Sequence, residues 1–339
     1  MERLEHDIPD PKRISIQQVS KNNGIVLDGL TIMENDCNIS PTLYLNYYYD
    51  SYNHGISFND VYQSLLSDYH RHKPSQKIDP SFFTDFDNIR DKIAMKLIHY
   101  ERNKELLEKV PHIRFLDLAI VFYIMVSEDG EGQATALIHK EHLEGWGISR
   151  KELRDIAFKN TWDKFPVVVT PMEDIISDMI LKDILGDEDW VEDEFGSNYG
   201  NGYGDEFGES FEGDDGEIIS EDTMYGDYTY GELKTLVREE VNNMKIEDIN
   251  MYVMSNTMKL NGATCITYPH AIENFANEHD SDVYIIPSSI HEVILIPDIS
   301  CSREYIDEMI RDVNRRQLDP VDVLSDHVYM YRRDIGEIE

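Results

Sequence analysis

A short segment near the C-terminal end, PSSIHE, brings together the side-chain types that acyl-transfer enzymes use. It offers the hydroxyls of Ser288 and Ser289, the imidazole of His291 and the carboxylate of Glu292 as candidate nucleophile, base and orienting acid. Side chains alternate between the two faces of a hairpin strand, however, which directs His291 and Glu292 to opposite sides. Two interpretations therefore stay open: a turn stabilised by side-chain hydrogen bonds, and a catalytic site.

Two histidines, His139 and His142 in IHKEH, are spaced closely enough to ligate a metal ion. The HExxH pattern of zinc proteases is absent, and a position before a predicted helix explains the pair equally well. The cysteines Cys37, Cys265 and Cys301 are far apart, which argues against a disulfide framework or a thiolate zinc site, and Cys265 is expected to be a buried apolar residue. Phosphate-binding, dinucleotide-binding and serine-hydrolase motifs are missing, so we predict no metal and no cofactor.

The stretch from Asp187 to Tyr228 is acidic, rich in glycine and almost free of aliphatic residues. Ordering such a segment costs more conformational entropy than its burial returns, so we predict a flexible, disordered insert. Aromatic residues recur at every fourth position, but the glycines between them disfavour a helix. We interpret these aromatic residues as contact points for a partner: Phe195, Tyr199, Tyr203, Phe207 and Phe211.

The chain of 339 residues carries a formal net charge of −36, and the acidity is not confined to the insert. This negative field repels the phosphates of nucleic acids and anionic lipids, so neither is an expected partner. A basic protein surface is the partner that the charge favours. The first residues, MERLEHDIPDPKR, lack the apolar core of a signal peptide, and no apolar run is long enough to span a bilayer, so we predict a cytosolic protein.

Turn and capping signals predict a hairpin and two helices in the first part of the chain. Asn22-Asn23-Gly24 separates two apolar runs within residues 14–45, which is typical of a hairpin turn. Ser57 opens a capping box at the start of the first helix, and the second helix is predicted from Thr84 to Pro111. The apolar stripe of this second helix consists of Ile89, Ile93, Leu97 and Tyr100.

The middle of the chain alternates between strands and helices. The runs LDLAIVFYIMV, QATALIH and FPVVV predict three strands. Ser149 begins one helix, and the other is predicted from Thr170 to Leu185, with Thr170 as cap and Pro171 in the first position.

The last part predicts two hairpins, over residues 251–267 and 283–296, among three helices and a final strand. Residues 123–144 and 252–273 align without gaps and share five identities, and both read as a hairpin followed by a helix. We take this as the hypothesis of a duplicated hairpin–helix unit, beside the alternative that two hairpins resemble each other through composition alone.

Together these patterns predict an α+β fold in which antiparallel β-hairpins pack with helices, with two duplicated hairpin–helix units and a long disordered acidic insert. We divide the chain into residues 1–112, residues 113–186, the insert at 187–230 and residues 231–339. The second and fourth of these segments are expected to form one core.

Several strings of the sequence resemble an uncharacterised bacterial family known as a domain of unknown function. The resemblance covers most of the chain outside the insert, and its strings are NISPTLYL, VPHIRFLDLAIVFY, HLEGWGIS, MYVMSN, NGATCITYP and YIIPSSIHEVILIPD. The chain is also distantly similar to the YtpQ-like family, which shares the order of strand pair, capped helix and C-terminal hairpin. These resemblances imply an intracellular bacterial protein with a mixed α and β fold, and neither supplies a catalytic residue.

The function that we expect from these observations is a non-catalytic binding or protein-interaction module. The alternative is a hydrolase-like or small-ligand enzyme that uses the turn from Pro287 to Glu292, with His139 or His142 brought near it by the fold. A concave pocket lined by Ser289, His291 and a further histidine or acid would distinguish the two.

Overall fold

The computed structural model describes residues 2–8, 11–34, 40–73, 83, 85–126, 135–185, 224–225, 228–243, 250–287, 289–297, 303–316 and 318–339. These residues form two compact units. Unit 1 comprises Met1–Met95, Tyr100–Ile113 and Val121–Thr161, and unit 2 comprises Lys96–His99, Arg114–Ile120 and Trp162–Glu339. The domain boundaries drawn from the sequence stay a prediction.

Unit 1 begins with a three-stranded antiparallel sheet in the order β1-β2-β3. Its strands are β1 (Pro11–Ser20), β2 (Val26–Glu34) and β3 (Thr42–Tyr44). The predicted hairpin at Asn22-Asn23-Gly24 is confirmed. Asn23 and Gly24 adopt positive φ angles of 59° and 70°, which asparagine and glycine tolerate best.

Three helices share an apolar core with this sheet. They are α1 (Glu2–Asp7), α2 (Leu45–Asn53) and α3 (Phe58–His72). The predicted cap of α3 is confirmed, because the Ser57 side chain accepts a hydrogen bond from the Asp60 N–H. The buried apolar cluster consists of Leu4, Ile8, Leu30, Ile32, Leu43, Tyr48, Tyr62, Leu65 and Tyr69.

The helix predicted from Thr84 to Pro111 is wrong. Most of this segment forms the short helix α4 (Phe86–Ile89), the strand β4 (Ile93–His99) and the short helix α5 (Lys104–Leu107). Ile89, Ile93, Leu97 and Tyr100 follow helical spacing, but Ala94, Met95 and Ile98 between them are also buried. A segment that is apolar on all sides also fits a strand with both faces buried, and its spacing alone cannot distinguish this strand from a helix.

A four-stranded sheet contains β4 in the order β4-β6-β5, and β7 also pairs with β6. The other strands are β5 (His112–Phe115), β6 (Leu118–Met125) and β7 (Thr135–Leu137). Two helices follow, α6 (Lys140–Trp146) and α7 (Arg150–Lys164). The predicted cap at Ser149 is confirmed by a 3.1 Å hydrogen bond from the Glu152 N–H to its hydroxyl oxygen.

Unit 2 contains a six-stranded antiparallel sheet in the order β15-β14-β12-β13-β11-β8. Its strands are β8 (Val167–Pro171), β11 (Tyr252–Asn256), β12 (Val283–Ile286), β13 (Val293–Pro297), β14 (Tyr329–Arg332) and β15 (Glu337–Ile338). The pairing of β12 with β13 confirms the hairpin predicted over residues 283–296. A separate two-stranded sheet consists of β9 (Met224–Tyr225) and β10 (Tyr228–Thr229).

The longer helices of unit 2 are α8 (Met172–Leu185), α9 (Tyr230–Asn243), α10 (Ala271–Glu278) and α11 (Arg303–Arg316). Helix α8 begins two residues later than the predicted cap at Thr170. Pro171 still belongs to β8 opposite Tyr252, and the Met172 N–H donates to the Met251 carbonyl, so the sheet holds the backbone there. Helix α11 packs on the sheet through the apolar cluster of Ile286, Ile296, Ile306, Ile310 and Val328.

The hairpin predicted over residues 251–267 is wrong, and the hypothesis of a duplicated unit fails with it. Residues Gly262–Thr267 form a 3-10 helix instead of a strand. The physical reason is that β11 is already paired on one side with β8 and on the other with β13, which leaves no edge for another strand. In residues 123–144, by contrast, β6 pairs with β7 before helix α6 begins.

The mixture of helices and antiparallel sheets confirms the α+β class. Among the helices built from described residues, none has the length and apolar composition needed to cross a membrane. Residues 187–223 of the predicted insert lie outside the described residues.

Candidate functional site

The serine of the candidate catalytic turn is committed to local hydrogen bonds. Ser289 lies between β12 and β13 and is 3% exposed. Its hydroxyl donates to Glu292 Oε1 at 2.6 Å and accepts from the His291 N–H at 3.0 Å. Ser288 lies outside the described residues. The proton of Ser289 therefore points to a carboxylate and not to an imidazole that would act as a general base.

The imidazole of His291 is also committed. Its Nδ1 accepts a hydrogen bond from the Asn261 N–H at 3.3 Å, and its Nε2 lies 3.6 Å from Asp322 Oδ1. Burial opposes protonation of the ring, but the carboxylate of Asp322, with that of Glu292, outweighs it and raises the pKa of His291. Among the described residues no hydrogen bond joins the His291 ring to the Ser289 hydroxyl.

The backbone around this turn is packed without spare room. The Ser255 hydroxyl donates to the His291 carbonyl at 2.7 Å. A Cβ added at Gly262 would lie 2.0 Å from Ser255 Oγ and 2.4 Å from the His291 carbonyl oxygen, so only glycine fits. We call the set Ser289, His291, Glu292, Asn261 and Asp322 the polar clasp. Its contacts hold the β12–β13 connection against two other segments, and they give the hydrolase-like alternative no support.

The histidine pair at His139 and His142 stabilises the start of helix α6. The His139 N–H donates to His142 Nδ1 at 3.1 Å, which forms a capping box. Burial, and then the neighbouring His139, lowers the pKa of His142. Within the described ranges, no group of three or more His, Cys, Asp or Glu side chains could hold a metal ion.

A half-buried polar network in unit 2 was not predicted from the sequence. Asp117 accepts hydrogen bonds from the hydroxyls of Ser325, at 2.7 Å, and Tyr329, and its Oδ2 lies 3.8 Å from His99 Nε2. Burial, followed by the Asp117 carboxylate, raises the pKa of Tyr329 well above its ordinary value. These two hydrogen bonds join segments that lie 208 and 212 residues apart in the sequence.

An open groove of unit 2 has the features of a binding site. It has a volume of about 670 Å³, which is in the range of small-ligand and side-chain pockets. Strand β8, the neighbouring strand β11 and helix α10 form its sides. The lining residues are Trp162, Val167, Val169, Pro171, Tyr252, Tyr268, Pro269, Ala271, Asn274, Phe275, Glu278 and His279. We call it the aromatic groove.

The aromatic rings of the groove support one another. Tyr252 meets Phe275 edge to face with 5.1 Å between the ring centroids, and His279 lies 4.8 Å from Tyr252 and 4.4 Å from Phe275. Trp162 and Tyr268 form a second edge contact at 6.3 Å. The Tyr268 hydroxyl donates to the Phe165 carbonyl at 3.1 Å, which fixes this ring in place. The walls are therefore preorganised π surfaces.

The charge in and around the groove is negative. Glu278 lines it directly. Burial raises the pKa of Tyr252, and the nearby carboxylates of Glu173 and Glu278 raise it further. The last turn of α10 also lines the groove, and the C-terminal end of a helix carries partial negative charge. Aromatic faces beside carboxylates attract a cation.

This groove was not predicted from the sequence. The partner contacts predicted in the insert lie outside the described residues and stay a prediction: Phe195, Tyr199, Tyr203, Phe207 and Phe211. The helical spacing of Phe275 and Glu278 could have placed those two side chains on neighbouring positions of one face. No local pattern connects them with Trp162 or Val169, because tertiary packing brings these residues together.

Cys265 is buried, as predicted, and burial raises the pKa of its thiol to about 12.

Comparison with known proteins agrees with the resemblance seen in the sequence. The model of the family of unknown function DUF5688 matches residues 1–333. No curated protein and no solved structure matches the chain. The similarity to the YtpQ-like family stays a prediction. Because the match spans nearly the whole chain, this protein belongs to the DUF5688 family.

Proposed function

We propose that this protein is a non-catalytic binding module whose aromatic groove receives a Lys or Arg side chain of a basic partner protein. The observation that carries the proposal is the combination of π surfaces from Tyr252, Phe275 and Trp162 with the carboxylate of Glu278 in one open groove. Each cation–π contact contributes about 0.5–2 kcal/mol, and a facing carboxylate adds to the selection of positive charge.

The charge of the whole chain supports the same partner. A net charge of −36 accelerates the approach of a basic protein and disfavours nucleic acid and anionic membranes. A location in the bacterial cytosol is part of the proposal and rests on the sequence resemblance. The predicted aromatic contacts in the insert would add a second area of contact to the same basic partner.

Fluorescence anisotropy with a defined probe tests the groove. The probe is a fluorescein-labelled, amidated peptide Thr-Lys-Val-Lys-Thr, and the same peptide with Glu in place of Lys is its matched control. We expect the Lys peptide to bind at low ionic strength and to weaken with added salt, whereas the Glu peptide does not bind. Equal binding of both peptides would contradict the proposal.

A pair of variants locates the binding. Glu278→Gln removes the carboxylate that lines the groove and should weaken the Lys peptide about three- to tenfold. Glu308→Gln removes the same charge from an exposed position of α11 that does not line the groove, and it should leave the affinity within about twofold. Equal losses in the two variants would show that the peptide responds to net charge and not to the groove.

The contribution of the insert requires a separate test. Replacement of the five insert aromatics by serine keeps the charge and length of the segment. If the insert contacts the partner, a basic protein that co-purifies with the natural chain should be retained less by this variant. Retention at the natural level would leave no role for these aromatic side chains.

A further inference from the structure

Strand β8 forms one edge of the six-stranded sheet, directly beside the aromatic groove. Within the part of the chain that the structure describes, it pairs with β11 alone. Proteins commonly protect such an edge with charged residues or a bulge. The sequence of β8, VVVTP, has no charged residue, and its register with β11 runs without a shift. Such an edge is a template for an added strand.

The register shows which backbone groups of β8 face outward. The Met172 N–H donates to the Met251 carbonyl, and the Thr257 N–H donates to the Pro166 carbonyl. Hydrogen-bonded and non-hydrogen-bonded pairs alternate along an antiparallel ladder. Val168 and Thr170 therefore direct their backbone groups to β11, and the N–H and C=O of Val167 and Val169 point to the free edge.

The same residues that face the edge also line the groove. The side chains of Val167, Val169 and Pro171 lie on the groove side of the sheet, and Val169 is 37% exposed. Pro171 has no N–H that could bond to an added strand. It is the last residue of β8, so the N–H groups of Val167 and Val169 remain in place along the rest of the edge. A segment that pairs with Val167 and Val169 would thus place alternate side chains over the groove and toward Glu278.

We propose that the basic partner binds in an extended conformation as an additional strand along β8, with its Lys or Arg side chains at alternate positions over the aromatic groove. This inference rests on the proposed function of the groove and adds backbone pairing to cation recognition. Charge decides the occupant, because a second copy of a chain with a net charge of −36 is repelled, whereas a basic segment is attracted.

N-methylated peptides separate backbone pairing from side-chain recognition. Two methylated versions of the Thr-Lys-Val-Lys-Thr peptide are compared. The first is methylated on the backbone nitrogens of residues 1, 3 and 5, and the second on those of residues 2 and 4. A strand added to β8 uses the N–H groups of only one of these two sets. One methylated peptide should therefore bind at least about tenfold more weakly, and the other should bind nearly as well as the parent.

A matched pair of variants tests the edge from the protein side. Val169→Pro removes the outward N–H of Val169 and leaves the bonds to β11 in place. Val169→Thr keeps the N–H and the β-branched shape. We expect Val169→Pro to lose at least about tenfold in affinity for the parent peptide, and Val169→Thr to stay within about twofold. Urea unfolding of both variants checks that the fold is retained.

The outcomes distinguish this inference from the function on which it rests. If the parent and both methylated peptides bind equally and the Glu peptide does not, strand addition is overturned and cation recognition stands. If the Glu peptide binds as well as the parent, both the proposed function and strand addition by a basic segment are overturned. If sedimentation shows a dimer of the natural protein that Val169→Pro dissociates, a second copy occupies the edge, and the inference is overturned.

Discussion

The polar clasp and the aromatic groove both lie in unit 2. They differ in whether their side chains are already bonded within the protein or remain accessible to a ligand. In the clasp, Ser289, His291 and Glu292 donate to or accept from one another and from neighbouring segments. In the groove, Tyr252 and Phe275 line an open space together with Glu278. A cluster of reactive side-chain types thus holds the chain together, whereas mainly aromatic and aliphatic side chains, with the carboxylate of Glu278, form the open site. Which groups remain available for a ligand depends on contacts, not on residue type.

The largest expected effect comes from Gly262, which packs against the clasp at the His291 carbonyl. Gly262→Ala brings a Cβ within 2.4 Å of the His291 carbonyl oxygen and within 2.8 Å of the Asn256 nitrogen, and backbone atoms cannot easily move away. We expect the free energy of unfolding to fall by about 3 kcal/mol in urea titrations. Gly145→Ala is the control, because no atom lies within 4 Å of the added Cβ, and it should be neutral or slightly stabilising. Equal effects of the two changes would mean that the clasp is not tightly packed.

The second largest effect on stability is expected at Ser289, and it tests whether this serine has a structural or a catalytic role. Ser289→Ala leaves the His291 N–H and the Glu292 carboxylate without their buried partner and should lower the free energy of unfolding by about 1–3 kcal/mol. Peptide binding at the groove should be unchanged. Ser67→Ala, at an exposed position of α3, should cost nothing. A Ser289→Ala protein with natural stability that has lost a hydrolytic activity would reverse the comparison between clasp and groove.

The pH dependence of stability sharpens the role of His291. Because the pKa of His291 is raised in the folded state, protonation of its ring stabilises the fold. This stabilisation is fully present below the pKa that His291 has in the unfolded chain, and it is lost as the pH rises through the pKa of the folded state. His291→Asn keeps an acceptor for the Asn261 N–H but cannot be protonated. The stability difference between the natural protein and this variant should therefore shrink as the pH rises above about 6.5. A difference that grows with pH would show that the neutral ring, held by the Asn261 N–H, is the favoured form.

The smallest expected effect on stability lies in the groove. Glu278→Gln should change the free energy of unfolding by less than about 0.5 kcal/mol, because the side chain is exposed. It should also lower the pKa of Tyr252, which the Glu278 carboxylate helps to raise. NMR titration of labelled tyrosine rings, with Tyr252→Phe to assign the signal, measures this shift. An unchanged Tyr252 pKa would place Glu278 too far from the ring to act on a bound cation.

The parts of the fold that the sequence predicted correctly depend on contacts between near neighbours. The turn at Asn22-Asn23-Gly24, the caps at Ser57 and Ser149 and the hairpin over residues 283–296 each rest on backbone preferences or hydrogen bonds within a few residues. Such signals act in any surroundings, so they can be read without the fold.

The predictions that failed depended on partners elsewhere in the chain. Residues 93–99 have apolar residues at helical spacing, and they form a strand, β4, that pairs with β6 and is buried on both faces. Residues 262–267 contain the apolar content of a strand, and they form a 3-10 helix because β11 has no free edge. In both segments, competition for pairing in a sheet overrode the local pattern.

The sequence by itself determined the acidic character, the α+β class, the family and many turns and helix starts, since these follow from composition and short-range contacts. Only the tertiary structure decided that the side chains of the clasp bind one another and that Trp162, Val169, Tyr252 and Glu278 line one groove. The physical reason is that a hydrogen bond or a ring contact needs its two groups in place, and the sheet order that places them is a property of the whole chain.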